Sequence, residues 1–595
     1  MSKFRFGLGF ADSLFHRSIS SRKGMVPEVK VAGRGWTVAL FLIPVFGGFA
    51  AIFVRLVWLT AVMGESYRSL SDGNRVRVVA TKAARGLIFD KQGRLLVANE
   101  PIYRIKKEGI KDGESPSYKF ILRGEALSLM AGGRETEVLE DVGRDYKYKV
   151  ATSHLLGYVG DASADEVKEG KYIVGDRIGR TGIEQEYDQL LRGEDGARLV
   201  EVDTGGQLLH EIGRKDPRPG ENLRLSIDAN LQEIAYGAFA GKPGALIASN
   251  PVTGEVLALV SSPGFDPVLF DGSEVSSAKV SQVFTDSLRP LFNRAIAGTY
   301  PPGSTFKVIS AIAGLESGTI GRDFRYEDKG FVVLGDNKQS FSNWYFTQYG
   351  RTEGSVGVSR AIARSTDTFF YRVGEMLGAD KLSSWARNFG LGQLTRIDLP
   401  GEVSGLVPDP AWKLKVKGER WFLGDTVIMA IGQGNLLTTP VQINRMTAII
   451  ASGGMSCHLR LVGLSAGEKT DCGKLPIEEA NRKLVIEGMY GACAEGGTAF
   501  PLFNFPNKEN RIPVACKTGT AEFGDPKNRT HAWLTAFVEE GVSRPYGRDP
   551  IVITAVVEAG GEGSRAAAPI VRKVLTGYFG VEDKYNYGAI VGNGE

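Results

Sequence analysis

The 595-residue sequence has few of the residues that metal sites and disulfide scaffolds require. It contains four cysteines and five histidines, and neither type occurs between positions 211 and 456. Four cysteines in so long a chain exclude a small disulfide-stapled fold, and the histidines are too scattered to suggest a metal cluster. A net charge of +4 gives no sign of a nucleic-acid partner. We therefore expect no metal, no cofactor and no nucleic acid.

All four cysteines lie late in the chain, at Cys457, Cys472, Cys493 and Cys516. Only Cys457 and Cys472 are close in sequence, and these two could pair in an oxidising compartment. Two free thiols are an equally good interpretation. The sequence leaves the choice between them open.

Long apolar runs are also absent, with one exception. Residues 36–54 carry no charge, Arg55 interrupts the run, and residues 56–63 are mostly apolar again. About 20 apolar residues span a bilayer core, which predicts a transmembrane helix over 36–63. The alternative is a cleaved signal peptide, but its apolar region should be shorter, and no small-residue cleavage site follows.

The distribution of Lys and Arg gives only a weak indication of how this helix is oriented in the membrane. Seven Lys and Arg residues precede it within positions 1–34, but five more follow between positions 68 and 85. The positive-inside bias is therefore small. We expect a cytoplasmic tail over 1–35, a single pass through the cell (inner) membrane and an extracytoplasmic catalytic domain, a preference that depends on the chemistry described below.

The remainder of the chain divides at a Pro- and Gly-rich linker over 216–220. Short strand patterns dominate residues 64–215. Residues 216–595 begin and end with strands and are helical between them, which predicts an α+β domain whose terminal strands share one antiparallel sheet. The strands are expected at 223–227, 244–250, 255–261, 511–518, 532–539 and 550–558, with helices over 230–239, 304–450 and 566–578.

The first chemical motif is Pro-Pro-Gly-Ser-Thr-Phe-Lys at 301–307. The chain breakers, followed by an apolar helical run, predict that Ser304 lies in the first turn of a helix, with Lys307 on the same face. A serine that attacks a carbonyl needs a base. Lys307 can serve only if burial or a second cation lowers its pKa. Alone, Ser-x-x-Lys is equally typical of a helix cap with a surface lysine.

Two further motifs follow in order, Ser-Thr-Asp at 365–367 and Lys-Thr-Gly-Thr at 517–520. A glycine in an edge strand permits close backbone approach, and such a strand can pair with an extended peptide. Separately, each motif matches an ordinary helix cap or turn. Together, in this order and these contexts, the three motifs are the signature of β-lactamases and penicillin-binding proteins.

The chain resembles the class B penicillin-binding proteins over nearly its whole length. Residues 85–90 and 182–184 are similar to motifs of the family's pedestal, and residues 432–434 and 531–533 to segments of its transpeptidase domain. No glycosyltransferase-like region follows the anchor, which argues against class A. Asp367, as the third residue of the second motif, favours the elongation type, and the division type is the close alternative.

This resemblance implies the fold and the reaction. The fold would be α+β: one transmembrane helix, a mostly β pedestal (dimerisation-like) domain over 64–215, and a transpeptidase domain over 216–595 with an antiparallel sheet flanked by helices plus an all-helical part. The reaction would cross-link peptidoglycan stem peptides: terminal D-alanine leaves the donor, and the amine of a neighbouring stem resolves the acyl-enzyme.

The resemblance also implies roles for individual residues. Ser304 would be the acylated nucleophile and the site that β-lactams trap, and Lys307 its base. Ser365 would relay a proton to the leaving amine, and Lys517 would hold Ser365 and the substrate carboxylate. The oxyanion hole would be the backbone N–H groups of Ser304 and Thr520. Contacts with substrate are implied for Asp367, Thr518, Gly519 and Thr520.

Other features bear on partners and alternatives. A membrane glycan polymerase of the shape, elongation, division and sporulation type is the implied partner, although the segment 99–154 is short for the family. Some elongation-type members hold zinc between the first two motifs, and we expect no such site here.

A D,D-carboxypeptidase or a non-catalytic scaffold remains an alternative. A β-lactamase needs no anchor, and the N-terminal tail is too short for the signalling domain of a β-lactam sensor.

Overall fold

The computed structural model describes residues 35–106, 118–134, 137–203, 208–270, 277–334, 338–463 and 470–585. The tail expected over 1–35 lies outside these residues, except for its last position. The chain forms two compact units, residues 1–76 and 77–595. The predicted boundary between residues 215 and 216 lies within the second unit and stays a prediction.

The described residues of the first unit are mostly helical. They form α1 (Gly35–Val57), a π-helical segment (Trp58–Val62) and α2 (Gly64–Arg75). The stretch Leu40–Val62 is long and apolar enough to cross a membrane, and its side chains are not buried by protein. A helix that is apolar on every face requires lipid or a protein core around it. This stretch coincides with the span predicted over 36–63.

The second unit begins with a mostly β part, the pedestal. Its elements are β1 (Val76–Thr81), β2 (Ile88–Phe89), β3 (Leu95–Lys106), β4 (Tyr118–Ile121), α3 (Arg123–Ala131), β5 (Val138–Tyr146), α4 (Ser153–Leu156), β6 (Val159–Asp161), α5 (Ala164–Lys168), β7 (Arg177–Gly179), α6 (Gly182–Glu186), α7 (Asp188–Arg192), β8 (Gly196–Val202), β9 (Leu208–Lys215) and β10 (Leu223–Arg224). Three sheets result, with strand orders β1-β8-β9, β10-β2-β3-β4 and β6-β7, and β5 also pairs with β3.

A buried ion cluster holds the pedestal together. The carboxylate of Glu184 is fully buried and accepts hydrogen bonds at 2.7 Å from Nε of both Arg85 and Arg144. Arg85 Nη1 also lies 2.8 Å from the carboxylate of Asp188. Two arginines therefore face two carboxylates. Because these residues come from four separate segments, the cluster ties β5, α6 and α7 to the turn before β2.

The remaining elements form the transpeptidase part. They are α8 (Ala229–Ala238), β11 (Gly244–Ser249), β12 (Val256–Ser262), α9 (Ser277–Thr285), α10 (Lys307–Glu316), β13 (Arg325–Asp328), β14 (Phe331–Leu334), β15 (Gln339–Ser342), α11 (Trp344–Tyr349), β16 (Gly354–Gly357), α12 (Val358–Arg364), α13 (Asp367–Asn388), α14 (Pro410–Lys417), α15 (Leu423–Ala430), α16 (Pro440–Ala451), β17 (Met455–Cys457), β18 (Cys472–Lys474), α17 (Glu479–Ala492), β19 (Ala515–Glu522), β20 (Thr530–Val538), α18 (Glu540–Ser543), β21 (Ile551–Val557) and α19 (Gly563–Phe579).

The central sheet has the order β12-β11-β21-β20-β19, with every neighbouring pair antiparallel. The first and last strands of the domain therefore share one sheet, as the sequence predicts. Helices α8 and α19 cover one face, and α16 packs against the other. β19 is an edge strand, so its outer backbone groups remain open to a partner. The predicted α+β fold class is confirmed.

Three details differ from the sequence-based expectations. The region 304–450 is not continuously helical, because β13 pairs with β16 and β14 with β15. The third strand from the end occupies Ala515–Glu522 rather than 511–518. Both Cys457–Cys472 and Cys493–Cys516 are disulfide-bonded, which decides the first pair and adds a second.

Candidate active site

Ser304 lies where the sequence places it, in a 3-10 turn (Gly303–Phe306) that leads directly into α10. Two neighbours fix this turn. Trp533 Nε1 donates to the carbonyl of Pro301 at 3.0 Å, and Gly303 N donates to the carbonyl of Gly432 at 2.9 Å. Ser304 is half-buried and lines a cavity of about 720 Å³. A hydroxyl at the head of a buried helix therefore faces an open cleft.

Lys307 is fully buried beneath this cleft. Its Nζ donates to the Oδ1 of Asp367 at 2.5 Å, to the carbonyl of Ser365 at 2.8 Å and to Ser365 Oγ at 3.1 Å. Burial lowers the pKa of Lys307, and the carboxylate of Asp367 opposes that shift. Burial prevails, so the neutral amine that a general base requires is favoured relative to a solvated lysine.

Lys517 is hydrogen-bonded to the same hydroxyl as Lys307, that of Ser365. Its Nζ donates to Ser365 Oγ at 2.9 Å and to the carbonyl of Thr518 at 3.0 Å. Burial, and next the nearby charge of Lys307, lower its pKa well below the usual value, against the opposing effect of Asp367. Two lysines from distant motifs thus share one serine, and each disfavours the charged form of the other.

Ser365 occupies the short link between α12 and α13 in a left-handed backbone conformation, with φ of 56°. Such a conformation is unfavourable for a residue with a side chain, and it persists where the surroundings fix it. Its carbonyl and hydroxyl both receive hydrogen bonds from lysine. The fold therefore holds Ser365 in place from its backbone and its side chain together.

Six of the eight predicted site residues line the cleft. The other two, Lys307 and Lys517, are fully buried next to it. The lining includes Ser304, Ser365, Asp367, Thr518, Gly519 and Thr520. Gly519 permits this assembly, because a Cβ there would lie 3.0 Å from the carbonyl oxygen of Pro302. The structure shows no hydrogen bond between Ser304 and Lys307, both of which it describes. Catalytic hydrogen bonds are often long without substrate and tighten when it binds.

Sequence reasoning missed the residues that position Asp367. Asn343 is fully buried, and its Oδ1 accepts the backbone N–H of Asp367 at 3.1 Å. The Nδ2 of Asn343 donates to Asp328 at 3.0 Å, and the backbone N–H of Trp344 donates to the Oδ2 of Asp367 at 2.9 Å. The available signal was an asparagine directly before the aromatic run over 344–346.

Two family models match the chain. One describes the penicillin-binding protein transpeptidase domain and matches residues 244–576, and the other describes the penicillin-binding protein dimerisation domain and matches residues 134–225. The site's geometry and these matches agree, and the chain belongs to the penicillin-binding proteins that carry a transpeptidase domain. The recognition made from the sequence is thereby confirmed.

Within this family, the chain is similar to curated peptidoglycan D,D-transpeptidases. The chain is similar to the peptidoglycan D,D-transpeptidase MrdA of Haemophilus influenzae, with 30% identity over 606 residues that cover 90% of this chain and 91% of the relative. It is also similar to MrdA of Escherichia coli K12, with 31% identity over 599 residues, 88% of this chain and 91% of the relative.

Two solved structures show the same likeness. A complex of Helicobacter pylori penicillin-binding protein PBP2 with MreC matches with a TM-score of 0.72 and 30% identity, covering 84% of this chain and 98% of that one. A chain from a peptidoglycan synthase complex, described as coordinating polymerization and crosslinking, also gives a TM-score of 0.72, with 32% identity over 93% of this chain and 100% of that one.

Proposed function

We propose that this chain is an elongation-type peptidoglycan D,D-transpeptidase that forms its acyl-enzyme on Ser304. The observation that carries the proposal is the convergence of Lys307, Ser365 and Lys517 behind the cleft that Ser304 lines. A serine nucleophile needs a proton acceptor and a donor for the leaving group. In this arrangement Lys307 accepts the proton of Ser304 as the serine attacks the carbonyl of the penultimate D-alanine.

The proton then passes through Ser365 to the departing amine. Ser365 Oγ has two acceptor sites and one donor, and it lies within hydrogen-bond distance of both lysine Nζ atoms. When both lysines donate to this oxygen, its own proton points elsewhere. The cleft is the free direction, since Ser365 lines it. D-alanine leaves as the neutral amine, and the acyl group stays on Ser304.

The turn that holds Ser304 and the strand β19 together supply the remaining interactions. The N–H groups of Ser304 and Thr520 bind the developing oxyanion, and preorganised donors of this kind contribute a large share of catalysis in acyl transfer. Lys517 and Thr518 hold the terminal carboxylate. The hydroxyls of Thr498 and Thr518 are hydrogen-bonded at 2.7 Å, and both residues line the cleft. The part of the cleft beside Thr518 is therefore polar.

We propose an extracytoplasmic position for the second unit, with the N-terminus in the cytoplasm. The stretch Leu40–Val62 is the one candidate membrane span in the described part of the chain, and the curated relatives support a single-pass membrane protein. All four cysteines of the chain form disulfides. Disulfides persist in oxidising compartments and are rare in the cytosol, which supports this orientation.

The partner we propose is a membrane glycan polymerase. The matching synthase complex couples polymerization and crosslinking, and this chain aligns with the whole of the matched chain. A donor strand must be polymerised before its stem peptides are cross-linked, so a polymerase beside the transpeptidase supplies the substrate directly. The likeness to a protein solved in complex with MreC supports a further partner of that type.

The proposal is tested by intact mass spectrometry of the full chain in detergent after incubation with benzylpenicillin. We expect one covalent adduct that maps to Ser304, and none on Ser304→Ala, while circular dichroism shows both proteins folded. An adduct on the folded alanine variant, or none on the wild type, would overturn the nucleophile. Product analysis with stem peptides then separates a cross-linking enzyme from a D,D-carboxypeptidase, which yields trimmed stems only.

A further inference from the structure

Part of the active-site cleft is lined by aromatic side chains that none of the roles described above uses. They include Tyr345 and Tyr349 of α11, and Phe500, which begins a 3-10 turn (Phe500–Leu502). Phe500 is 45% exposed to solvent and Tyr349 is 59% exposed. Exposed rings in a cleft gain free energy when an apolar part of a ligand covers them.

A hydrogen bond places Phe500 close to the strand that binds the donor. The hydroxyl of Thr498, two residues before Phe500, is hydrogen-bonded to the hydroxyl of Thr518 at 2.7 Å. All three residues line the cleft. The aromatic lining therefore begins beside Thr518, where the terminal carboxylate of the donor is held in the proposed reaction.

The ring of Tyr345 is held in place before a ligand binds. Its centroid lies 4.8 Å from Cζ of Arg364. Arg364 is itself fixed, because its Nε donates to the carboxylate of Glu353 at 2.7 Å and its Nη1 donates to the carbonyl of Gly496 at 2.7 Å. The second of these bonds also ties Tyr345 to the segment 496–500. A surface fixed in this way needs little ordering when a ligand binds.

The second half of the reaction indicates which molecule reaches this lining. The group that acts as acid in one half-reaction acts as base in the other. Ser365, which passes a proton to the departing D-alanine, therefore removes one from the attacking amine, and the acceptor amine occupies the position that D-alanine has left. If the carbon that bears this amine also carries a carboxylate, that carboxylate lies where the carboxylate of D-alanine lay, at Lys517 and Thr518.

The rest of the acceptor then has one direction to follow. From Thr518 towards Thr520 the cleft is filled by the acyl group, whose oxyanion is bound by the N–H of Thr520 in the proposed reaction. The other direction leads past Thr498 to Tyr345 and Phe500. A chain that leaves the acceptor carbon in this direction meets two aromatic rings.

We propose that Tyr345 and Phe500 form a specificity subsite for the acceptor, the amine that resolves the acyl-enzyme. The favoured acceptor carries its amine on a D-configured carbon, as D-alanine does, together with a carboxylate and an alkyl chain. Methylene groups of that chain lie on the two rings. The inference rests on the proposed function, because it takes the position of the acceptor from the departure of D-alanine.

The step is a transfer of the acyl group. The nitrogen of the acceptor attacks the carbonyl carbon of the acyl-enzyme, a C–N bond forms, and the C–O bond to Ser304 breaks. The proton of the amine passes through Ser365 and Lys307 to the oxygen of Ser304. The products are a new amide and the free enzyme, and no further reactant is required.

The test gives the full chain in detergent one synthetic pentapeptide donor ending in D-alanyl-D-alanine. The acceptor is either D-norleucine or D-2-aminobutyrate, which differ by two methylene groups. Mass spectrometry measures the exchanged peptide relative to the hydrolysed peptide. We expect this ratio to be about tenfold higher with D-norleucine at equal concentration, the effect of two buried methylene groups. In Phe500→Ala and Tyr345→Ala the preference should fall to about twofold or less.

Two variants serve as controls. Phe331 is as exposed as Phe500, at 45%, but is not among the residues that line the cleft. We expect Phe331→Ala to keep the preference for D-norleucine, and Tyr345→Phe, which retains the ring, to keep it as well. A wild-type preference near one, or an equal loss in Phe331→Ala and Phe500→Ala, would overturn the subsite in favour of no recognition or of a general disturbance.

Benzylpenicillin acylation of the same preparations separates the two proposals, because it needs no acceptor. If no adduct forms at Ser304, the proposed function fails. If the adduct forms but the two acceptors are not discriminated, the subsite alone fails. If the adduct forms and neither acceptor gives an exchanged peptide, this also counts against the subsite, since an acceptor bound beside Thr518 is its premise.

Discussion

Two of the buried charge clusters, one around Glu184 in the pedestal and one around Lys307 beneath the cleft, differ in the outcome of burial. In the pedestal, burial acts to raise the pKa of Glu184, but Arg144 and Arg85 outweigh it and the pKa is lowered. Beneath the cleft, burial lowers the pKa of Lys307, and the charge of Asp367 does not outweigh it.

The composition of each cluster explains the difference. The pedestal cluster balances two arginines against two carboxylates, and a guanidinium stays charged and binds carboxylates through fixed paired donors. The catalytic cluster sets two lysines against the single carboxylate of Asp367. A lysine shifts its pKa readily when buried. The arginine cluster around Glu184 therefore stays charged and has a structural role. The two lysines near Asp367 can lose their protons, so they can take part in proton transfer.

The largest expected effect comes from removing the lysine base. We expect Lys307→Ala to acylate with benzylpenicillin about 10²–10⁴-fold more slowly, the usual contribution of a general base, with a smaller loss of non-covalent binding. Stopped acylation reactions read by mass spectrometry give both quantities. Lys307→Arg should be similarly slow, because its guanidinium does not deprotonate. An unchanged rate in either variant would remove Lys307 as the base.

In the pedestal we expect a substitution to lower the free energy of unfolding and to leave the chemical reaction unaffected. Glu184→Gln leaves Arg144 and Arg85 buried without their shared carboxylate, and breaking a buried pair costs about 3–5 kcal/mol. Chemical denaturation of the full chain in detergent measures the loss. The matched control is Glu137→Gln, which breaks the exposed pair with Arg134 and should change stability little. Equal effects of both substitutions would contradict the structural role of Glu184.

The smallest effect is a shift in pH dependence. Asp367 opposes the lowering of the Lys307 pKa, so Asp367→Asn should lower that pKa further. The neutral base then appears at lower pH, and the ascending limb of the acylation rate against pH moves to lower pH. Rates measured across the range in which Lys307 loses its proton give the shift. A limb that moves to higher pH would show that Asp367 acts on another group.

The sequence predicted the local features of this molecule well. Proline, glycine and an apolar run placed Ser304 at the start of a helix, and the helix expected over 230–239 is α8, Ala229–Ala238. The pairing of the terminal strands followed from their order along the chain. These predictions depend on neighbouring residues or on element order alone.

Contacts between distant segments could not be predicted in this way. The ion pair of Lys307 with Asp367 joins residues 60 positions apart, and the support that Asn343 gives to Asp367 crosses 24 positions. Glu522 lines the cleft from the last position of β19, and the expected strand over 511–518 ended too early to include it. Such contacts need the register of the folded chain.

The disulfide between Cys493 and Cys516 has a consequence for how the enzyme matures. Cys516 immediately precedes Lys517 in β19, and its bond fastens the start of that strand to the end of α17. A newly made chain in the reducing cytoplasm lacks this fastening. With the extracytoplasmic position proposed above, we expect full catalytic activity to arise only after export. The thiol-oxidising capacity of the envelope would then limit how fast newly made chains become active.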